Sequence, residues 1–165
     1  QLEEVTFRRT VIPVQELLDA AGKYFKKLMK NRPERIELEI ESMEAKVIGD
    51  VNQLRFLLEN LIDEALTVRE DGVIRLQARK DNEYIRFLFT DTRREKSVEE
   101  LNQLFYPNLA RMTSGEKGEL RGTEYLVCKQ IIRDHDEFAG RRGCRINAEP
   151  AEGGGFTVYF TIPRR

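Results

Sequence analysis

Two carboxylates stand where the chain could present them to a ligand. Asp91 follows the apolar run Phe87-Leu88-Phe89, and Glu64 lies near the end of a leucine-rich segment. A carboxylate at the end of a buried strand can accept hydrogen bonds from an amino group, and carboxylate oxygens also suit Mg²⁺. A nucleotide site of this kind normally needs glycine after the aspartate, so that backbone can approach phosphate or purine. Here Thr92-Arg93-Arg94-Glu95 follows instead, so the stretch predicts either an ordinary charged turn or a nucleotide pocket without its glycines.

The composition excludes several other classes of function. The chain has 165 residues, of which 40% are hydrophobic and 35% charged, with a formal net charge of −1. These values predict one folded domain over residues 1–165 with a highly charged surface. Arginine pairs occur four times, but they do not merge into a basic stripe, so nucleic acid is not an expected partner. No apolar run approaches the length of a membrane span, and we expect no direct membrane contact.

The cysteines and the histidine do not predict a metal site. Cys128 and Cys144 fall at apolar positions, outside any Cys-x-x-Cys or Cys/His cluster, which favours buried free thiols. The alternative is a disulfide, which nothing in the spacing supports. With a single histidine, His135, a zinc site is not expected. The chain begins with Gln1, and we expect it to be the C-terminal part of a longer, sensor-like protein.

Hydrophobic periodicity predicts the elements that must position the two carboxylates. Apolar residues recur at helical spacing from residue 17 to residue 28, and again more strongly behind Asp50, which stands at an N-cap position. Residues 36–40 alternate between apolar and charged, which predicts a half-solvated antiparallel strand. Turn residues at 81–82 separate two further strands, so Asp91 is predicted to end a β-hairpin.

The second half of the chain predicts a short helix, a loop, a longer helix and two strands. Ser97 followed by Glu99-Glu100 is typical of a capped helix start rather than of a phosphorylation site. Residues 108–121 predict a loop, residues 122–135 an amphipathic helix, and residues 152–155 the turn between the closing strands. Hairpins joined to helices without regular alternation predict an α+β fold. It is a two-layer α/β sandwich, in which a mixed, mostly antiparallel sheet carries helices on one face.

Three stretches, in order and spacing, carry a family resemblance. "DVNQLRFLLENLIDEAL" is similar to an asparagine box, and "IRFLFTDTRRE" to a first glycine box of the form Asp-x-Gly-x-Gly. "LRGTEYLVCKQIIRDH" is similar to a second glycine box, Gly-x-Gly-x-Gly-Leu, and "EGGGFTVYFTIP" to the last strand of the same family. Over about residues 7–163 the chain therefore resembles the ATP-binding domain of sensor histidine kinases. This is the Bergerat fold of the GHKL superfamily, which gyrase and a heat-shock chaperone share.

The resemblance implies which residues would remain of a nucleotide pocket and which are replaced. Asn60 matches the first asparagine of the asparagine box, and Asp91 matches the aspartate that receives the adenine amino group. Gly122, with Thr123 beside it, matches a glycine of the second glycine box. The replaced pocket positions are Glu64, for the asparagine that holds Mg²⁺, and Arg93, Glu95, Leu120 and Glu124, all for glycines.

The replacements place bulk and negative charge where a polyphosphate would lie. Glycines let backbone amides close around phosphate without a Cβ in the way. Glu64 and Glu124 add carboxylates instead, and at an effective dielectric near ~20 a like-charge pair about 4 Å apart costs roughly 4 kcal/mol. That is about three decades of affinity. We therefore expect neither ATP nor another cofactor, and we expect Arg93 or Arg94 to pair with Glu64 or Glu124 and fill the pocket.

The resemblance, with these replacements, predicts a degenerate (pseudo) histidine kinase ATP-binding domain. It would act as a signalling or interaction module of a two-component-like sensor, in the cytoplasm or in the cytoplasmic part of a membrane-anchored protein. Its expected partners are its own upstream sensor or dimerisation region and another signalling protein. One alternative is an active, atypical kinase that binds ATP and holds Mg²⁺ with Glu64. Another is a pocket for a different small anionic ligand, with Arg93 and Arg94 as anion contacts.

Each of these residues also has an ordinary structural role as an alternative. Asp91 is equally suited to a turn at a strand end, and Asn60 to a hydrogen bond with neighbouring backbone. Glu64 and Glu124 are equally suited to solvated surface. His135 ends the helix of the second glycine box, which favours capping or packing over a phosphoacceptor role. We also expect the chain to fold without nucleotide, because its apolar stripes are complete, and the predicted loop to be poorly packed.

Overall fold

The computed structural model describes residues 6–107, 113–114 and 120–165. The predicted loop at 108–121 lies outside the described residues except for two short strands, so its expected poor packing stays a prediction. The elements, in chain order, are β1 (Thr10–Pro13), α1 (Val14–Met29), β2 (Ile36–Ile40), β3 (Lys46–Gly49), α2 (Val51–Ala65), β4 (Gly72–Asp81), β5 (Tyr84–Asp91), α3 (Val98–Gln103), β6 (Thr113–Ser114), β7 (Leu120–Arg121), α4 (Glu124–Phe138), β8 (Ile146–Pro150) and β9 (Phe156–Pro163).

Five of the strands form the main sheet, in the order β2-β4-β5-β9-β8. The pairs β4–β5, β5–β9 and β9–β8 are antiparallel, whereas β2 and β4 run parallel. Two smaller antiparallel sheets are formed by β1 with β3 and by β6 with β7. The sheet is mixed and mostly antiparallel, so the α+β fold predicted from the sequence is confirmed.

Side chains alternate across the main sheet, and its buried apolar side chains belong to one core with those of the helices. The rings of Phe87 and Phe160 stack at 4.8 Å between centroids within this core. Arg75 and Arg86 belong to the opposite face, where their side chains are 47% and 39% exposed. The longest helix, α1, has 16 residues, and within the described ranges no helix has both the length and the apolar character needed to cross a membrane.

The direction predicted for β2 was wrong. It pairs in parallel with β4, with Leu38 opposite Ile74, and not antiparallel to a neighbour. The chain passes through β3 and α2 between these strands, which provides the long crossover that a parallel pair needs. As an edge strand, β2 still exposes Glu37 and Glu39, so the alternating pattern predicted solvent exposure but not strand direction. The four-residue strand β3 was not predicted.

The N-terminus of α2 is fixed by a buried cap. Asp50 accepts two backbone N–H groups of the first turn on Oδ1, at 3.0 and 3.1 Å, as its N-cap position predicted. Its own N–H donates to Nε2 of His135 at 3.0 Å, while Nδ1 of His135 lies 2.8 Å from the carbonyl oxygen of Ile131. A Cβ on Gly49 would lie 2.8 Å from the imidazole, so a glycine is required for this approach. The packing role predicted for His135 is confirmed.

Burial sets the protonation of His135 and of the two cysteines. His135 is 0% exposed, and its burial lowers the pKa of the imidazole. Because Nε2 accepts a hydrogen bond, the ring is neutral and carries its proton on Nδ1. Both cysteines are buried and free, as predicted. Burial raises the pKa of the Cys144 thiol to about 12, and it also raises the pKa of Cys128.

Candidate functional site

Asp91 lies at the end of β5, and its carboxylate is bonded to Arg93. In the sheet register Asp91 stands opposite Ile74 on β4 and Phe156 on β9. Its Oδ1 accepts from the backbone N–H and from Nε of Arg93, at 3.0 and 2.9 Å, and its Oδ2 accepts from Nη2 at 2.9 Å. The two side chains are 5% and 1% exposed. This is the bidentate carboxylate–guanidinium geometry of a strong charge-assisted pair, closed off from solvent.

The same guanidinium ties the end of β5 to the end of α2. Its Nη2 donates to the carbonyl oxygen of Ala65 at 2.6 Å, and its Nη1 donates to the carbonyl oxygens of Val68 at 3.0 Å and Glu70 at 2.9 Å. With the two bonds to Asp91, the five N–H groups of the guanidinium each have an acceptor. Burying a charged group strongly destabilises the folded state unless its donors are hydrogen-bonded in this way.

Gly72 makes room for the aliphatic part of Arg93. It begins β4 with a φ of +144°, and a Cβ built on it would lie 2.5 Å from Cγ of Arg93. A larger residue at position 72 would have to displace the arginine stem from its path to α2. The position of Arg93 is therefore set by its hydrogen bonds at one end and by the space above Gly72 at the other.

The partners predicted for Arg93 were wrong. We expected it to pair with Glu64 or Glu124, whereas its carboxylate partner is Asp91, two residues earlier. The side chain folds back towards the strand end because the backbone carbonyls beyond α2 provide three further acceptors there. Arg94 and Glu95 are exposed, so the alternative of a charged surface turn holds for these two residues but not for Arg93.

A cavity of about 230 Å³ remains beside the Asp91–Arg93 pair. Pockets for drug-sized ligands usually have about 300–1,000 Å³, so the predicted filling of this space is partial. Apolar side chains form most of the wall, and four charged residues complete it. The lining residues are Leu61, Glu64, Ala65, Val68, Phe89, Asp91, Arg94, Lys96, Tyr125, Phe156 and Val158.

The residues matched to the asparagine box take different positions. Asn60 is buried, and its Nδ2 donates to the carbonyl oxygen of Phe56 at 2.8 Å, which confirms the backbone-bonding alternative. Glu64, one turn later, lines the cavity. Glu124 begins α4, and its Oε2 is buried without a hydrogen-bond partner among the described residues. Burial is the main cause that raises the pKa of Cys128, and the charges of Glu124 and Glu64 raise it further. Both carboxylates therefore lie near the same part of α4.

The other predicted residues are not part of the cavity lining that the structure describes. Glu95 lies on the exposed turn after β5, with Oε1 3.8 Å from where a Cβ of Gly154 would be. Gly122 has a φ of +81°, and Thr123 precedes α4 without capping it through its side chain. Leu120 belongs to β7, where its backbone stands opposite Ser114. Across the described ranges, no cluster of three or more His, Cys, Asp or Glu residues could hold a metal ion.

Several residues of the cavity wall were missed by the sequence analysis. Phe156 and Val158 alternate along β9 with the hydroxyl-bearing residues Thr157 and Tyr159, and that alternation could have placed them on the helix-covered face beside Asp91. Nothing in the sequence indicated that Lys96 lines a cavity, because lysine is common in charged turns. Its Nζ lies 5.4 Å from the ring centroid of Phe156, so its side chain reaches the cavity wall.

Comparisons with known proteins agree with this architecture. The family model described as histidine kinase-, DNA gyrase B-, and HSP90-like ATPase matches residues 49–165. A mycobacterial sensor histidine kinase, MprB, is similar with a TM-score of 0.73 at 18% identity, over 96% of this chain and 99% of that one. The nucleotide-free catalytic domain of histidine kinase ThkA gives 0.71 at 21% identity, over 97% and 98% of the two chains. ThkA in complex with the response regulator TrrA gives 0.70 at 19%, over 96% and 42%. No curated protein sequence matches the chain.

Proposed function

The chain belongs to the histidine kinase-, DNA gyrase B-, and HSP90-like ATPase family, and we propose that within it the chain is a degenerate catalytic domain of the sensor histidine kinase type. It keeps the fold, does not bind ATP, and works as a protein-interaction module between a sensor and a signalling partner. The observation that carries this proposal is the buried Arg93 on Asp91.

To bind a nucleotide, Asp91 would have to receive the purine. Its resemblance to the family's aspartate implies that its carboxylate receives the adenine amino group. Three donors of Arg93 already use its two oxygens, and only 5% of its side chain is exposed. A purine would have to displace a guanidinium whose five N–H groups are all bonded, and breaking a buried ion pair costs about 3–5 kcal/mol. That penalty alone weakens binding by about two to four decades.

The proposed partners are proteins. One structure with this fold is a histidine kinase bound to a response regulator. We propose that this chain likewise contacts signalling proteins in the cytoplasm, namely its own upstream sensor or dimerisation region and a second protein of the same pathway. Conformational change, rather than phosphate, is what the domain would transmit.

A second candidate function is an active, atypical kinase. Two observations favour it: Glu64 lines the same cavity as Asp91, and it matches the family's Mg²⁺-holding asparagine with a carboxylate, whose oxygens suit Mg²⁺. This candidate requires Arg93 to leave Asp91 when nucleotide binds.

Calorimetric titration with Mg-ATP and with ADP separates the two candidates. The proposed function predicts no saturable heat and no rise in melting temperature, whereas a nucleotide at 100 times its Kd would add about 2.7 kcal/mol of stability. The chain without nucleotide should still melt cooperatively. Micromolar binding of ATP to the natural sequence would refute the degenerate function and favour the atypical kinase.

Restoring the family's residues tests the assignment of Arg93. The fivefold variant Glu64→Asn, Arg93→Gly, Glu95→Gly, Leu120→Gly and Glu124→Gly should gain ATP binding. Its matched control is the fourfold variant that keeps Arg93 and carries the other changes, which should remain without binding. If the fourfold variant binds ATP as well as the fivefold one, the ion pair is not what blocks the site.

A further inference from the structure

The cavity beside Asp91 has the size of a single ring. Its volume is about 230 Å³, and an engineered protein cavity of about 150 Å³ lined by aliphatic and aromatic side chains already takes up benzene. A nucleoside triphosphate needs a far longer cleft than this. The wall offers Phe89, Phe156 and Val158 from neighbouring strands and Leu61 from α2, all buried, so an apolar ring would find contacts on several sides.

The charges around the cavity favour an anion. Four of its lining residues are charged, two of each sign. Asp91 is already neutralised by Arg93 at 2.9 Å, so the remaining charged residues of the lining are Arg94, Lys96 and Glu64. Glu100 also lies near the two cations, since its hydrogen bonds at Ser97 and then Lys96 and Arg94 lower the pKa of its carboxyl, but it is exposed and outside the lining. Lys96 is half-buried with its Nζ above the ring of Phe156, so its ammonium lies beside the apolar wall and not out in solvent. A carboxylate near this position would be attracted by Lys96 beside the apolar wall and by Arg94 at the exposed rim of the cavity.

We infer that this cavity binds a small ligand with one aromatic ring and one carboxylate. The ring lies among Phe89, Phe156 and Val158, and the carboxylate faces Lys96 and Arg94. This inference rests on the proposed function, because it gives a non-nucleotide ligand to the site that ATP has lost. Adenine does not fit the same description, since it carries no negative charge and would need the oxygens of Asp91 that Arg93 occupies.

Phenylacetate is the probe for a calorimetric titration of the whole chain. We expect saturable binding, with phenylacetamide, its neutral analogue of the same shape, at least tenfold weaker. In the double variant Arg94→Gln, Lys96→Gln the affinity for phenylacetate should fall at least tenfold, while that for phenylacetamide stays the same. Lys80→Gln, which removes a cation on the exposed part of β4, is the matched control and should leave both affinities unchanged.

The outcomes separate this inference from the proposed function. No saturable heat with phenylacetate up to about 10 mM, where a site of millimolar Kd is mostly occupied, overturns the inference. Equal affinity for acid and amide, or an unchanged affinity in the double variant, overturns the role of the two cations. If Mg-ATP binds in the same experiment, the proposed function falls and the inference falls with it. If neither ATP nor phenylacetate binds, the proposed function stands and only the inference fails.

Discussion

Replacing Arg93 with methionine should destabilise the chain far more than replacing an exposed arginine of the main sheet. Methionine keeps the aliphatic stem above Gly72 but removes all five hydrogen bonds of the guanidinium, to Asp91 and to the carbonyls of Ala65, Val68 and Glu70. It leaves the Asp91 carboxylate buried and unpaired, which costs about 3–5 kcal/mol. For a domain of this size that lowers Tm by about 6–20 °C.

Urea unfolding at constant m-value measures this cost. The matched control is Arg75→Met, which breaks the exposed pair with Glu39 and should cost no more than about 1 kcal/mol. The double variant Asp91→Leu, Arg93→Met should be more stable than the sum of its single variants by about 2 kcal/mol or more, because no buried charge is left alone. If Arg93→Met lowers the free energy of unfolding as little as Arg75→Met does, the Asp91–Arg93 pair does not stabilise the fold as its geometry implies.

Three further predictions concern buried groups. Burial lowers the pKa of His135, so below about pH 6.5 the unfolded chain binds a proton that the folded chain does not bind. The free energy of unfolding should therefore fall by up to about 1.4 kcal/mol for each pH unit below that value. His135→Gln should flatten that part of the curve of unfolding free energy against pH, and parallel curves would contradict the assignment. Gly72→Ala should destabilise the chain by more than the ~1 kcal/mol usual for a point variant, since its Cβ meets Arg93 at 2.5 Å and its φ is +144°; a neutral effect in urea would show that the stem is free to move. Cys128 and Cys144 should react with a thiol reagent only at the rate of unfolding, and fast labelling in native buffer would be inconsistent with their burial.

Much of the fold could be predicted because its signals are local. The hairpin of β4 and β5, the cap at Asp50 and the apolar stripes of the helices each depend on residues close together in the chain. The direction of β2 could not be predicted, because the same alternating pattern suits any edge strand with one wet face. Strand β3 was missed because four residues, of which Val47 and Gly49 are buried, show no period long enough to detect.

The candidate site was predicted in part for a similar reason. The sequence indicated Asp91 and the replaced positions around it, because each lies at a fixed distance from a recognisable motif. It did not indicate the partners of Arg93. The acceptors at Ala65, Val68 and Glu70 lie 23 to 28 residues away, and they are backbone carbonyl oxygens, which every residue type has. Such contacts are decided by how α2 and β5 pack together, and not by residue type.

The place of β9 in the main sheet has a consequence for how the protein is made. It lies between β5 and β8, yet it is the last of the five strands to be synthesised. Until residues 156–163 have left the ribosome, β5 keeps an unpaired edge beside its buried aromatic residues, and β8 has no neighbour to pair with. An apolar edge of this kind attracts chaperones or other nascent chains. A chain that stops before Phe156 would therefore yield an aggregating fragment and not a smaller stable domain.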